Sequence, residues 1–295
     1  MKPHQQEPWT EGDIFANGIQ QHYYRTGSKK PALLLLHGFT ENGLCWSRVA
    51  RGLEQDYDVI MLDARGHGRS SGPETGYSPE ILTQDVIELI RGLDLQQPYL
   101  FGFSNGALTA ALVAATAPEL ARAIVLADPP WSGLPVRSFS ATAGSEPWPG
   151  YTAWFNSWVD WHKALRIQTP EERVASSQRF LPPGVNWPQE APEELLSHLE
   201  AQAQFNLAVL DFSPAVPGPT PWRATVERIV CPVLLLTSDP QRASISLQEA
   251  QEIAATLRDG QLVSFPDASH FLYHEMHGEQ FEHFLTVIRT FLQSH

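Results

Sequence analysis

Cysteine is scarce in this chain: Cys45 and Cys231 are the only two in 295 residues. Two thiols cannot build the disulfide framework of a small secreted domain. The start, Met1 to Asp13, is polar and carries no apolar stretch resembling a secretory signal, so a cytoplasmic protein is expected. Cationic charge is short as well. Lys and Arg number 20 against 33 Asp and Glu, giving a formal net charge of −13 and a pI near 5.2. That balance repels phosphate backbones and anionic lipid, and argues against nucleic-acid or membrane partners. Long hydrophobic runs are missing too. The longest weakly polar stretch, Phe101 to Ala117, contains Ser104, Asn105 and Thr109 and falls short of the ~20 apolar residues of a membrane helix. What remains is an ordinary globular composition, 42% hydrophobic and 18% charged, long enough to bury a full core.

Short apolar runs alternate with helical patterns over residues 1–128, which predicts an α/β fold with a mostly parallel sheet covered on both faces. Ala32 to Leu36, Val59 to Leu62, Tyr99 to Phe101 and Ile124 to Leu126 read as buried strands because they are short, continuous and closed by turn residues. A helix is expected after Ser78-Pro79-Glu80, with Ser78 as the cap and Ile81, Leu82, Val86, Leu89, Ile90 and Leu93 as its apolar face. The rhythm then breaks. Pro129 to Trp222 carries 14 of the 24 prolines and 7 of the 9 tryptophans, with helical patterns near Tyr151 to Arg166, Pro170 to Phe180 and Pro192 to Leu207. Strands resume at Val233 to Leu236 and near Leu262 to Phe265, and a final helix holds Phe281, Phe284, Val287, Ile288 and Phe291. The expected organisation is a core of residues 1–128 and 225–295 and an inserted helical cap of residues 129–224. Ser213 to Pro221 has the composition of a stiff connector.

Gly102-Phe103-Ser104-Asn105-Gly106 follows a predicted strand and opens a helix pattern, the setting of a G-x-S-x-G nucleophile elbow. Its plain alternative is a glycine-rich helix start with Ser104 as an N-cap. His37-Gly38-Phe39 follows the Leu33 to Leu36 strand, where the Phe39 backbone N–H can be aimed at a developing oxyanion beside that of Asn105; His37 itself reads as structural. Asp239 follows the Leu234 to Leu236 strand, and His270 follows the Leu262 to Phe265 strand. A serine hydroxyl needs an imidazole to take its proton, and the imidazole needs a carboxylate to fix its tautomer.

With HGF at 37–39, DARGHGRS at 63–70, GFSNG at 102–106 and the Asp239 and His270 loops in order, the chain resembles the α/β-hydrolase superfamily. The resemblance implies an α/β-hydrolase fold with a helical cap inserted after strand six. It also implies Ser104 as nucleophile, His270 as general base, Asp239 as the acid that orients it, and Phe39 with Asn105 as the oxyanion hole. Asp128, after the Ile124 to Leu126 strand, is the rival acid, since some members of the superfamily place it there. Asp63 reads as a turn residue bonding the glycine-rich loop that follows it. Serine at the elbow sets the chain apart from epoxide hydrolases and haloalkane dehalogenases, which use aspartate.

No cofactor is expected, and no metal. HFLYHEMH is not HExxH, and His274 and His277 read as solvated residues ahead of the last helix. Trp154, Trp158 and Trp161 recur at helical spacing and read as packing, whereas Trp131, with Phe39 and Phe103, is expected to line the substrate pocket. The activity expected is hydrolysis of a carboxylic ester or lactone of a hydrophobic or aromatic small molecule through an acyl-enzyme, by a monomer or homodimer. The alternatives are a carbon-carbon bond hydrolase of ring-cleavage products and a hydrolase-fold ligand receptor.

Overall fold

The run Ala32–Leu36 is apolar at every position because both faces of its strand are covered. In the computed structural model, which describes residues 9–27, 29–131, 151–177, 192–211 and 222–295, its side chains alternate. Leu33 and Leu35 join one hydrophobic cluster, and Leu34 and Leu36 the other. The strands are β1 (Thr10–Ala16), β2 (Ile19–Arg25), β3 (Ala32–Leu36), β4 (Asp58–Leu62), β5 (Tyr99–Phe103), β6 (Ile124–Ala127), β7 (Val233–Thr237) and β8 (Gly260–Ser264). They form one sheet in the order β1-β2-β4-β3-β5-β6-β7-β8. β2 pairs antiparallel with β1 and β4, and all pairs from β4 to β8 are parallel.

The helices are α1 (Ser47–Leu53), α2 (Pro79–Gly92), α3 (Asn105–Thr116), α4 (Tyr151–Leu165), α5 (Pro170–Ser177), α6 (Pro192–Gln204), α7 (Trp222–Val226), α8 (Leu247–Thr256) and α9 (Gly278–Gln293). α1 and α9 cover one face of the sheet, while α2, α3, α7 and α8 cover the other. Ser78 caps α2 by accepting from the Ile81 N–H, and Pro79 occupies its first position, as the sequence predicts. Burying each large aliphatic side chain of these clusters contributes roughly 1.5–3 kcal/mol.

The hairpin β1–β2 is absent from the sequence-based expectations. Its signal was local: Asn17-Gly18 joins two strands with Ala16 opposite Ile19, and both turn residues take positive φ, 49° and 75°. Polar side chains on an edge hairpin hid the period-two pattern.

α4, α5 and α6 lie between β6 and β7 in sequence. Trp158, Trp161, Leu165, Leu199, Phe205 and Val209 form a third hydrophobic cluster, against which Phe39 packs. The packing reading of Trp158 and Trp161 agrees with that burial. Trp148, Trp187 and the connector Ser213 to Pro221 lie outside the described residues. Among the described residues, no helix is long and apolar enough to cross a membrane.

Candidate active site

Register brings the carboxyl ends of the central strands to one level. Leu36 lies beside Gly102, Phe103 beside Ala127, and Ala127 beside Leu236. The residues that follow these ends therefore share one edge of the sheet, where open α/β sheets bind ligands. Ser104 follows β5 with φ 51° and ψ −118°, a conformation costly for an L-residue. The turn is tight on both sides. A Cβ on Gly102 would sit 2.2 Å from the Gly106 carbonyl oxygen, and one on Gly106 would sit 2.1 Å from that of Leu36. Only glycine lets the strand and helix backbones pass this closely.

The Ser104 hydroxyl makes no capping bond to α3. It lies 3.0 Å from Nε2 of His270 instead, and Nδ1 of His270 lies 2.5 Å from Oδ2 of Asp128. These partners assign the tautomer: Nδ1–H donates to the carboxylate, leaving Nε2 to accept from the serine. Asp128 is fully buried and also accepts from the backbone N–H of Ser244 at 2.9 Å and from the Ser238 hydroxyl at 3.4 Å. Deleting one partner of such a buried pair costs about 3–5 kcal/mol.

Asp239 does not reach the histidine, which corrects the sequence-based choice of acid. Its backbone N–H donates to the Ala268 carbonyl, while its carboxylate accepts from the Gln241 N–H at 2.9 Å and from Arg242 Nε at 2.8 Å. Those two hydrogen bonds hold its pKa below the usual carboxylate range. The aspartate shapes the turn that delivers Ser244, whose Oγ lies 2.8 Å from His270 Nδ1. Sequence reasoning missed Ser244, for nothing in the Arg242-Ala243-Ser244-Ile245-Ser246 context distinguishes it from any other loop serine.

Gly38, Phe39, Asn105 and Gly106 are among the residues lining one cavity, and neither Ser104 nor His270 is in that lining. Asn105 opens α3, where helix N–H groups and dipole favour an anion. The Phe39 carbonyl accepts from His67 Nε2 at 2.5 Å, and the Phe39 ring meets Phe205 edge-on at 5.5 Å. His37 is structural: its Nε2 accepts the Ala64 N–H at 3.0 Å, and burial pushes its pKa down to about 3. Asp63 fixes its turn as expected, accepting from the N–H groups of Gly43 and Arg69 at 2.7 and 2.8 Å.

Three other expectations need correction. Phe103 is buried behind His270, with ring centroids 4.9 Å apart, and supports the imidazole rather than lining a pocket. Trp131 packs into the core cluster on the α2–α3 face of the sheet, drawn in by its apolar area. His274 is not solvated; it is buried, with Nε2 2.6 Å from Oε1 of Glu41, and His277 is partly buried against Arg48. Glu41 also accepts the Gly38 N–H at 2.8 Å. Burial pushes its pKa up, but His274, together with His198 and the Gly38 N–H, outweighs that and holds it at about 2.

A serine in a strained strand-to-helix elbow, with a histidine after the last strand, marks a hydrolase of the α/β type. The chain belongs to the alpha/beta hydrolase family, whose sequence profile matches residues 33–283. Over 139 residues, 46% of this chain, it is 40% identical to the N-formylmaleamate deformylase of Pseudomonas putida. The matched segments span half or less of the length of the first curated relatives. Among solved structures, an N-formylmaleamic acid deformylase from Pseudomonas putida S16 superposes with a TM-score of 0.74 and 20% identity, covering 95% of this chain and all of that one. The enol-lactonase from Burkholderia xenovorans LB400 gives 0.71 and 20% identity, covering 96% of this chain and all of the other. Similarity at that identity extends to the fold.

Proposed function

We propose that the protein is a serine hydrolase that cleaves a carboxylic ester or lactone of a small apolar molecule through an acyl-enzyme. The observation that carries this reading is the unbroken line from Ser104 through His270 to Asp128, with contacts of 3.0 and 2.5 Å. Ser104 Oγ attacks the carbonyl carbon while its proton passes to His270 Nε2. Asp128 stabilises the imidazolium so formed, and the backbone N–H groups of Phe39 and Asn105 receive the oxyanion. His270 then gives the proton to the leaving oxygen. Water repeats the sequence on the acyl-enzyme, with His270 as base, and frees the acid and Ser104.

Helices α4, α5 and α6 act as the lid in this reading. Phe39 and Val209 give the cavity apolar lining. At ~25 cal/mol per Å2, an added ring covering about 100 Å2 contributes roughly 2.5 kcal/mol, or about 70-fold in specificity. The similarity to N-formylmaleamate deformylase supports a second leaving group, an amide nitrogen, on the same machinery.

The test is turnover of acetyl, hexanoyl and aryl esters of one leaving group beside matched lactones and N-formyl amides. Multiple turnover with aryl or hexanoyl esters preferred is the expected result. A single-turnover stall would favour a ligand receptor, and activity confined to N-formyl amides would replace the ester reading with the amide one.

A further inference from the structure

Away from Ser104, one set of buried titratable groups stands apart: Glu41, His198 and His274. Glu41 lies between β3 and α1, His198 on α6, and His274 between β8 and α9, so three distant stretches of chain meet. All three are buried, and their ligating atoms lie within 4.8 Å of one another. His274 Nε2 is 2.6 Å and His198 Nδ1 3.9 Å from the same oxygen, Glu41 Oε1. Interiors rarely hold two imidazoles and a carboxylate without a specific reason.

Two imidazole nitrogens and one carboxylate oxygen are the donors preferred by Zn2+ and neighbouring divalent transition metals. A tetrahedral ion with bonds of ~2.0–2.1 Å holds its donors about 3.3 Å apart, between the two separations found here. Seating one requires the Glu41–His274 contact to open by about 0.7 Å, the ion taking the place of the proton they share.

The outer partners fit the same reading. Glu41 Oε2 accepts from the Gly38 N–H at 2.8 Å and the Tyr273 hydroxyl at 3.4 Å. The Gln202 amide lies 2.6 Å from His198 Nε2, with its nitrogen facing the ring nitrogen while its buried Oε1 has no partner among the described residues. Turning the amide by 180° lets Oε1 accept an Nε2–H and makes Nδ1, the nitrogen facing Glu41, the ligating atom. Metal-bound histidines are held in this way by a carbonyl on the far ring nitrogen.

We propose that Glu41, His198 and His274 form a binding site for a divalent transition-metal ion, Zn2+ by its donor set. Bound there, the ion ties helix α6 to the two loops that flank Ser104, the Gly38 loop and the His270 loop. It takes no part in the acyl chemistry, and the site stands whether or not the ester reading holds.

The experiment uses untagged full-length protein, stripped with a chelator, dialysed, and titrated separately with Zn2+ and with Co2+, whose visible absorption reports tetrahedral coordination. One equivalent of Zn2+ retained through gel filtration and a raised thermal midpoint are expected. His198→Gln and Glu41→Gln each weaken binding at least ~100-fold. A far-UV circular dichroism spectrum and a cooperative thermal transition like those of the metal-free wild type show that His198→Gln is folded. A wild type that retains no Zn2+ at micromolar free metal overturns the proposal. Equal binding by wild type and both variants overturns it too, by putting the metal elsewhere.

Discussion

Asp128 and His270 are 142 residues apart in the chain, yet Oδ2 of the one lies 2.5 Å from Nδ1 of the other. The reason is strand order. β6 is the immediate neighbour of β5, and its last residue, Ala127, pairs with Phe103, so the next residue on each strand is Asp128 or Ser104. The Ser104 N–H donates to the Ala127 carbonyl, which locks the two strand ends side by side. Asp239, two residues beyond the end of β7, folds away into its own turn.

Replacing Asp128 with Asn is expected to lower kcat/KM by ~10^3–10^4, because the amide favours the wrong imidazole tautomer and cannot stabilise the imidazolium. Asp239→Asn is expected to stay within about tenfold of wild type, losing only part of a turn. Steady-state kinetics of the two variants on one ester decide the matter, and the reverse ranking would return the acid to β7.

Ser104→Ala is expected to abolish turnover while leaving the thermal transition nearly unchanged, since the hydroxyl does chemistry and caps nothing. Mass spectrometry after treatment with a serine-directed phosphonate reads the modified residue. A label on any residue other than Ser104 rejects the nucleophile.

Ser244 holds the pair through two atoms, its N–H on Asp128 and its Oγ beside His270 Nδ1. Ser244→Ala keeps the first and loses the second, a hydrogen bond worth ~0.5–1.5 kcal/mol. A fall in kcat of about 3–10-fold with KM unchanged is expected, with recovery in Ser244→Thr. A change confined to KM would place Ser244 at the substrate instead.

Burial drives the pKa of His37, beside His67 and Glu41, down to about 3, and that of His162, which donates to the Trp158 carbonyl, down to about 4. Both folded values lie below the ordinary 6.5, so below pH 6.5 the unfolded chain binds protons that the folded one refuses. Stability is therefore lost as pH falls from 6.5 toward those values, by ~2 kcal/mol per group at pH 5. Urea midpoints at pH 7.5 and pH 5 measure the loss. His162→Gln should show less of it, and an identical pH dependence in that variant would assign the effect elsewhere.

The central strands were legible in the sequence because a strand covered on both faces must be apolar at every position, as Leu33 to Leu36 are. The elbow was legible because the close passage of β5 and α3 tolerates only glycine at positions 102 and 106, and His270 because it follows the last parallel strand. The β1–β2 hairpin was obscured by its polar edge. Which aspartate serves His270 was not written locally at all, since Asp128 and Asp239 each follow a parallel strand. Only the lateral order of β5, β6 and β7, and the direction in which each loop leaves its strand, put one carboxylate against the ring and the other beside Arg242. The same holds for Glu41, His198 and His274, whose meeting depends on how the α6 segment packs over loops far away in the chain.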